Sequence, residues 1–292
     1  MRYPSNISQS NIIGIRNNLG FTLIELMVAL AVASVVLAII YTVYTVQQRS
    51  FRRETMIVDA QQNLRSALIL VERELRVAGY DRNNTDLFGI TAIGLDGDNN
   101  GTITFTADIG DAGNADNGVL DTNETFTYAI YDAPTTTAVG NLDLGRTRGT
   151  GATELVAEGV EALGFAFAFD ADADGRLDFN DPNADGVMTP PAENIYWAVD
   201  SDGDNVLDLE LDTNKDGEIT LADGTAPLPV TVNMDRIRAV KIFLLVRTKS
   251  TDFGYHDPRT YVVGLRQITP AAGDHFRRRL LVSTVKLRNM GL

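Results

Sequence analysis

The stretch GFTLIELMVALAVASVVLAIIYTVYT, from Gly20 to Thr45, decides the fold of the N-terminal part of the chain. The apolar run extends from Phe21 to Val46, contains no proline, and holds a single acidic residue, Glu25. As a helix it would be about 39 Å long, enough to cross a bilayer with some tilt. A secretory signal would have a shorter apolar core followed by a small-residue cleavage site. The run therefore predicts a membrane-spanning helix.

The helical pattern continues beyond the apolar run. Apolar residues recur at separations of three, four and seven positions, which places them on one helix face: Ile57, Leu64, Leu68, Val71, Leu75 and Ala78. Arg65, Arg73 and Arg76 lie mainly off this face, and Gly79 is a natural helix stop. The pattern predicts one helix from about Phe21 to Ala78. Its first half is apolar all round, and its second half has one face to bury.

Three segments carry a family resemblance. The motif G-FTLIE at Gly20–Glu25, followed by a long apolar run, is similar to the processing signature of type IV pilins and of the pseudopilins of type II secretion. The segments LRSALILVERELRVAGYDR (64–82) and RRRLLVSTVKLRNMGL (277–292) resemble PilW-type minor pilins, which are related to J-type minor pseudopilins. The resemblance implies an α+β, type IV pilin-like fold. It also implies cleavage after Gly20 by a prepilin peptidase and N-methylation of Phe21.

The same resemblance implies a role for Glu25. In the family, the glutamate in fifth place of the mature chain lies on the packing surface of the filament. Its partner there is the new amino terminus of a neighbouring subunit, which in this chain is Phe21. An unpaired carboxylate in a bilayer is costly, so a cationic partner would turn that cost into a driving force for docking. The alternative is a glutamate that reaches from a helix end to the interface and gains from the helix dipole.

The basic residues that flank the apolar run conflict with the processing motif. Arg49, Arg52 and Arg53 follow the run, and only Arg2 and Arg16 precede it. The positive-inside count alone would place the C-terminal part in the cytoplasm. The motif requires its N-terminal side to face the cytoplasm, and we give it precedence. We expect a single-pass protein of the bacterial inner membrane that reaches the pilus or cell surface after assembly.

Charge is unevenly distributed along the chain. The formal net charge is −14, which argues against nucleic acid as a partner. Residues 96–223 hold 28 acidic and 4 basic side chains, a balance of −24, while the rest of the chain carries 11 acidic and 21 basic side chains. The chain has no cysteine, so disulfides and thiolate metal sites are excluded. Residues 96–223 thus form an acidic block, and the rest of the chain carries a net positive charge.

Strand-like runs surround and enter this acidic block. We expect strands at 102–106, 125–131, 164–169, 240–248 and 260–264. In GFAFAF the large side chains Phe165, Phe167 and Phe169 fall on one face. These runs predict an antiparallel sheet on the C-terminal half of the long helix, in agreement with the α+β fold that the resemblance implies.

Two segments of the block resemble the calcium loops of EF-hands and, more closely, of dockerin-like and thrombospondin-type repeats. DADADGRLDFND supplies oxygen at alternate positions, and its candidate ligands are Asp170, Asp172, Asp174, Asp178 and Asp181. DTNKDGEITLAD repeats the plan with Asp212, Asn214, Asp216 and Asp223. A hard cation takes six to eight oxygens, and the glycine at the sixth position permits the sharp bend. We therefore expect structural Ca²⁺ in at least one of these loops.

Three further segments show weaker versions of the same loop pattern. Their candidate ligands are Asp181, Asn183 and Asp185 in DPNADG, Asp200, Asp202 and Asp204 in DSDGDN, and Asp96, Asp98 and Asn100 in DGDNNG. Aspartate replaces the usual closing glutamate in the two stronger loops, which indicates weak sites suited to the calcium level outside cells. The alternative is a set of solvated Asp-Gly turns.

Other functional classes have little support. His256 and His275 belong to no zinc spacing or triad, and no glycine-rich phosphate loop is present, so we expect neither an enzyme nor a small-molecule substrate. Trp197 is interpreted as core or loop packing rather than as a platform for a ligand. The basic run FRRRLL (276–281) is interpreted either as a docking patch or as an edge strand with solvated arginines.

The sequence thus predicts four segments: a leader at 1–20, a transmembrane and filament-core helix at 21–46, its amphipathic continuation at 47–79, and a β-rich globular domain at 80–292. The expected function is that of a minor pilin that helps to start pilus assembly and forms part of the pilus tip. Its expected partners are other minor pilins, the major pilin and the prepilin peptidase. The alternatives are a minor pseudopilin of type II secretion and a calcium-dependent tip adhesin.

Overall fold

The computed structural model describes residues 20–110, 117–134, 143–190 and 193–291. The predicted leader lies outside these residues, apart from Gly20. The chain divides into two compact units, Met1–Arg52 and Arg53–Leu292, and helix α1 (Leu23–Leu75) contributes residues to both. In the first unit almost every described side chain is exposed. Helix α1 is long and apolar enough to span a membrane, as the sequence predicts.

The second part of α1 buries the predicted face. Its buried residues are Leu64, Ala67, Leu68, Val71 and Leu75. Ile57 is only half-buried, and Ala78 is buried just beyond the helix end. The helix stops at Leu75 rather than Ala78 because the chain tightens into a turn: the N–H of Val77 donates to Glu74 O at 3.1 Å. Gly79 follows in the left-handed conformation (φ +76°).

The strands of the second unit form two large antiparallel sheets and one small one. In chain order they are β1 (Ile90–Leu95), β2 (Gly101–Thr106), β3 (Thr125–Tyr131), β4 (Asp143–Arg148), β5 (Glu154–Glu158), β6 (Val160–Phe169), β7 (Ala198–Val199), β8 (Val206–Glu210), β9 (Ala226–Asn233), β10 (Ile237–Arg247), β11 (Tyr261–Val263), β12 (Arg266–Ile268) and β13 (Arg278–Lys286). The first sheet has the order β1-β2-β3-β4-β5, the second β13-β10-β6-β7-β8-β9, and β11 pairs with β12. All five predicted strands are present.

Strands β6 and β10 form the centre of the second sheet. They pair antiparallel, with Phe165 opposite Ile242 and Phe167 opposite Val240. Almost every residue of both strands is buried. The run GFAFAF is therefore covered on both faces, whereas a strand with one solvated face would alternate between buried and exposed side chains.

Each face of the second sheet has its own core. Phe165, Phe167 and Phe169 share the first core with the buried face of α1 and with the first sheet. The alternate residues of β6 lie in the second core, which also contains Trp197 and Tyr261. This second face is covered by the segment between β6 and β9 and by strands β11 and β12. The part of the acidic block that follows β6 therefore helps to cover a hydrophobic face.

The structure shows the environments of Trp197 and of the basic run FRRRLL. Trp197 is 3% exposed and belongs to the second core, as expected. Strand β13 is an edge strand, as one interpretation of FRRRLL had it. Its first residue, Arg278, is however 6% exposed rather than solvated, because its guanidinium binds Glu161 (2.6 Å) and Asp274 (2.6 Å). These two carboxylates replace the hydration that the guanidinium loses when it is buried.

The contact of α1 with the first core leads to a test. Leu75 is fully buried and Ile69, on the same helix, is 58% exposed. We expect Leu75→Ala to lower the free energy of unfolding by about 2–5 kcal/mol, because it removes buried methyl groups and leaves a cavity. Ile69→Ala should change it by less than about 0.5 kcal/mol. Thermal unfolding of the full chain in detergent measures both. Equal effects would show that this helix face is not buried in the core.

Candidate functional site

Helix α1 begins with a reciprocal cap. The hydroxyl of Thr22 accepts a hydrogen bond from the N–H of Glu25 (3.2 Å). In return, Glu25 Oε2 accepts from the N–H and the hydroxyl of Thr22 at 2.9 Å each. This Thr-x-x-Glu capping box satisfies amide groups that the start of a helix leaves without partners. Sequence reasoning assigned Glu25 to a neighbouring subunit and missed this local partner, although the Thr-x-x-Glu spacing was visible.

The expected cleavage position lies just before the cap. Phe21 is 91% exposed. Among the described residues, no atom lies within 4 Å of a Cβ built on Gly20. The Gly20–Phe21 peptide is therefore open on the side that the structure describes. The leader itself, residues 1–19, lies outside the described residues.

The first predicted loop gathers three of its five candidate ligands. Carboxylate oxygens of Asp170, Asp172 and Asp174 lie within 4.8 Å of one another. Asp170 is 1% exposed and accepts N–H bonds from Asp174 and Gly175, both at 3.1 Å. Asp178 lies outside this trio and accepts the N–H of Ala171 (3.1 Å). The loop is thus wrapped around the carboxylate of its first residue.

The second predicted loop has the same construction. Asp212 is fully buried and accepts N–H bonds from Asp216 (3.2 Å) and Gly217 (2.8 Å). Asp212, Asp216 and Asp223 bring one oxygen each within 4.8 Å of one another. Asn214 points its amide nitrogen at Asp216 Oδ2 (3.1 Å). The closing residue, Asp223, therefore lies with Asp212 and Asp216 in this loop.

The loop from Asp200 is as complete as the two stronger ones. Asp200, Asp202 and Asp204 form a third group within 4.8 Å, and Asp200 is 2% exposed. Asn205, at the position where glycine was expected, has φ +66° and donates its N–H to Asp200 Oδ2 (2.9 Å). Asparagine tolerates this left-handed conformation better than most residues, so it can replace the glycine.

The loop from Asp181 closes on a residue that sequence reasoning missed. Asp181 accepts the N–H of Gly186 (2.8 Å), so its carboxylate begins this loop. Glu193 is 3% exposed and accepts bonds from Asn183 Nδ2 (3.0 Å) and from the N–H of Thr189 (2.7 Å). Glu193 comes one position later than the usual closing residue, which is why the spacing did not reveal it.

The four loops alternate between two kinds. In the loops from Asp170 and Asp200, a ninth-position aspartate accepts the N–H of the second residue: Asp178 from Ala171 (3.1 Å) and Asp208 from Ser201 (2.9 Å). In the loops from Asp181 and Asp212, the closing acid accepts the N–H of a ninth-position threonine: Glu193 from Thr189 (2.7 Å) and Asp223 from Thr220 (2.8 Å). The order therefore repeats as a pair, which indicates an internal duplication.

The backbone follows the same plan in all four loops. The fourth and sixth residues are left-handed in each of them: Ala173 and Gly175, Ala184 and Gly186, Gly203 and Asn205, and Lys215 and Gly217. Such conformations cost free energy in residues other than glycine. Their recurrence at fixed positions shows that each chain segment is bent to turn its oxygens inward.

The fifth candidate, Asp96–Gly101, is a different structure. It is the turn between β1 and β2, and Gly101 begins β2 without a left-handed φ. Asp96 accepts the N–H of Asp98 (2.8 Å) and the side-chain amide of Asn100 (2.9 Å). Asn100 is 1% exposed and accepts from Arg266 Nη1 (2.7 Å). Its oxygen is thus occupied by a guanidinium.

Negative charge dominates the three acidic groups. Burial raises the pKa of Asp178 and of Asp212, and nearby carboxylates act in the same direction. One protein cation is near the first loop, since Arg238 Nε lies 3.8 Å from Asp170 Oδ2. Lys241 Nζ donates to Gly217 O in the second loop (2.7 Å). Each of the three groups offers three carboxylate oxygens within 4.8 Å of one another, so these groups could hold a metal ion.

Two parts of the chain match known families. Residues 15–41 match the prokaryotic N-terminal methylation motif. Residues 195–289 match the family described as Type IV Pilus-assembly protein W. A type IV-like pilin from Thermus thermophilus is similar in structure, with 15% identity and a TM-score of 0.39, over 80% of this chain and 98% of that one. No curated protein matches the chain.

Proposed function

We propose that this chain, which its methylation motif and its Type IV Pilus-assembly protein W match indicate to be a minor pilin of a type IV pilus, acts at the start of pilus assembly and at the pilus tip. The observation that carries the proposal is the capped start of α1, which lies within the methylation motif and begins an apolar run of membrane-spanning length. Before assembly the protein is a single-pass protein of the inner membrane, and it later enters the pilus.

The processing step follows from the exposed Gly20–Phe21 peptide. We propose that a prepilin peptidase cleaves it and that the new amino group of Phe21 is methylated. The proposed partners are the major pilin and other minor pilins, which would pack along the exposed first part of α1. A helix with apolar side chains all round requires lipid or other helices as its surroundings.

Glu25 would then serve two partners in turn. Within one chain its carboxylate accepts two bonds from Thr22, both through Oε2. The second oxygen, Oε1, remains available for the cationic amine of Phe21 on a neighbouring subunit. A carboxylate that caps its own helix is held at a fixed place near the helix start, which prepares it for that contact.

We also propose that the acidic loops bind Ca²⁺ as a structural ion. The loop groups from Asp170, Asp200 and Asp212 each supply three carboxylates, and the loop from Asp181 supplies Asp181, Asp185 and the buried Glu193. Oxygen-only ligands suit a hard cation. Because these loops cover one face of the second sheet, a bound ion would stabilise that cover in a chain that has no disulfides.

The first prediction concerns processing. Mass spectrometry of protein recovered from pili should show a chain that begins with N-methylated Phe21. Gly20→Ala should strongly reduce cleavage, because the peptidase must accommodate a side chain where the native chain has none. Gly97→Ala is the matched control, since no described atom lies within 4 Å of a Cβ there either. Recovery of wild-type protein that still begins at Met1 would contradict the assignment.

The second prediction separates the two roles of Glu25. Glu25→Gln keeps an acceptor at the third helical position, so the capping box survives, but it removes the charge. We expect Glu25→Gln to incorporate into filaments as poorly as Glu25→Ala, while cleavage continues in both. Immunoblots of sheared pili and of membranes measure incorporation and cleavage. If the glutamine variant incorporated normally, the carboxylate would act only as a helix cap.

The third prediction concerns calcium. Binding to the folded state alone stabilises it by about 2.7 kcal/mol when free Ca²⁺ is about 100 times Kd. The full chain in detergent should therefore melt several degrees higher in millimolar Ca²⁺ than in chelator. Magnesium at equal ionic strength should reproduce little of this difference, because it prefers smaller, octahedral sites.

Variants assign that calcium response to particular loops. Asp212→Asn and Glu193→Gln should each reduce the difference in melting temperature between Ca²⁺ and chelator. Asp235→Asn, which removes an exposed charge outside the four loops, should leave it unchanged. Calorimetry that detects no binding at millimolar Ca²⁺, together with equal melting in Ca²⁺ and Mg²⁺, would show that the loops are acidic turns.

A further inference from the structure

The end of β10 leads into a basic, aromatic surface, which we call the basic end and define as residues 247–259 and 274–279. The basic end holds six basic and three acidic side chains, a balance of +3 in a protein of net charge −14. Lys249 and Arg278 form ion pairs with Glu158 and Glu161, and counting these two carboxylates still leaves a positive balance. Lys249, Arg259 and Arg279 are exposed. The basic end is therefore a local reversal of the protein's overall charge.

This surface contains an exposed phenylalanine. Phe253 is 84% exposed, and among the described residues its ring contacts His275 at a centroid distance of 5.6 Å. Close by, the guanidinium of Arg277 lies 4.0 Å from the ring centroid of Tyr255. Interleaved aromatic and basic side chains of this kind are typical of the membrane–water interface.

The two ends of β10 carry opposite charge. At its start, Arg238 lies beside the acidic loop of Asp170, and Lys241 binds the loop of Asp212. At its other end, Arg247 leads into the basic end. A strand of 11 residues is about 33 Å long. The second unit is therefore polarised along this strand, with the acidic loops at one end and the basic surface at the other.

Ion pairs connect the basic end to the chain that leaves the membrane. Asp252 binds both Arg53 Nε (2.9 Å) and Arg277 Nη2 (2.8 Å). Arg53 comes seven residues after Val46, where the apolar run ends. Seven residues span at most about 25 Å. The basic end is thus kept by covalent connection within reach of the bilayer surface.

We propose that the basic end docks on the anionic lipid headgroups of the inner membrane before assembly, with Phe253 inserted at the interface and the acidic loops turned away. Anionic lipids attract basic side chains over about a Debye length and repel acidic ones. The polarity along β10 therefore selects one orientation of the second unit. This orientation would keep the acidic loops clear of the membrane.

The absence of cysteine permits a clean test with single labels. Phe253→Cys and, as a matched exposed apolar position at the acidic end, Leu221→Cys are each labelled with an environment-sensitive fluorophore. The full chain is placed in nanodiscs of phosphatidylcholine alone or with one quarter phosphatidylglycerol, both containing a lipid-borne quencher. We expect quenching at position 253 to be several-fold stronger with phosphatidylglycerol and to be lost in 1 M salt. The label at position 221 should stay unquenched throughout.

Charge variants complete the test. Lys249→Gln with Arg279→Gln should reduce the quenching at position 253 at least twofold, whereas Arg176→Gln, an exposed arginine in the first acidic loop, should not. Circular dichroism checks that each variant is folded. Hydrogen exchange of residues 249–257 in the unlabelled chain should slow with phosphatidylglycerol. Equal quenching at positions 253 and 221, or quenching that depends on neither lipid charge nor salt, overturns the proposal.

Discussion

The burial of strands β6 and β10 on both faces is the constraint on which the second unit depends. Two central strands without a solvated face need two covers. One cover is built from α1 and the first sheet, which supply large apolar side chains. The other is built mainly from the acidic loops, whose eighth-position side chains Leu177 and Ile219 pack into the second core. A segment with strong negative charge thus covers an apolar face of the second sheet.

This arrangement explains why the loops are regular despite their charge. Each loop binds the carboxylate of its first residue with backbone N–H groups, and the loops from Asp170 and Asp212 also turn their eighth residues, Leu177 and Ile219, into the second core. Hydrogen bonds to the backbone favour the ionised form of the carboxylate, but burial and neighbouring carboxylates oppose it at Asp212. A divalent cation would remove that opposition and leave the covering side chains in place. The proposed metal sites and the packing on the sheet therefore belong to the same loops.

Much of the fold and of the acidic loops could be predicted from the sequence, because helical spacing and strand alternation are patterns of residues that lie close together in the chain. Helical spacing gave the buried face of α1, and alternation gave Phe165, Phe167 and Phe169. Glu193 was missed because one extra residue separates it from Asp181, so a fixed spacing cannot find it. The equivalence of the Asp200 loop depends on a left-handed Asn205, which is a backbone property. The burial of Arg278 depends on Glu161, which is distant in sequence.

Glu25 caps the start of α1, and it is also the residue that we propose to contact a neighbouring subunit during assembly. Thr22 satisfies one carboxylate oxygen twice, and the structure describes no bond to the other. At the edge of a bilayer, water or headgroups can solvate that oxygen, but within a filament core they are excluded. In the proposed contact, the cationic amino terminus of a neighbouring subunit would replace them, at lower desolvation cost than an unpaired charge would carry. On this proposal, the single carboxylate of the apolar run acts as a helix cap before assembly and gains a second, cationic partner on assembly.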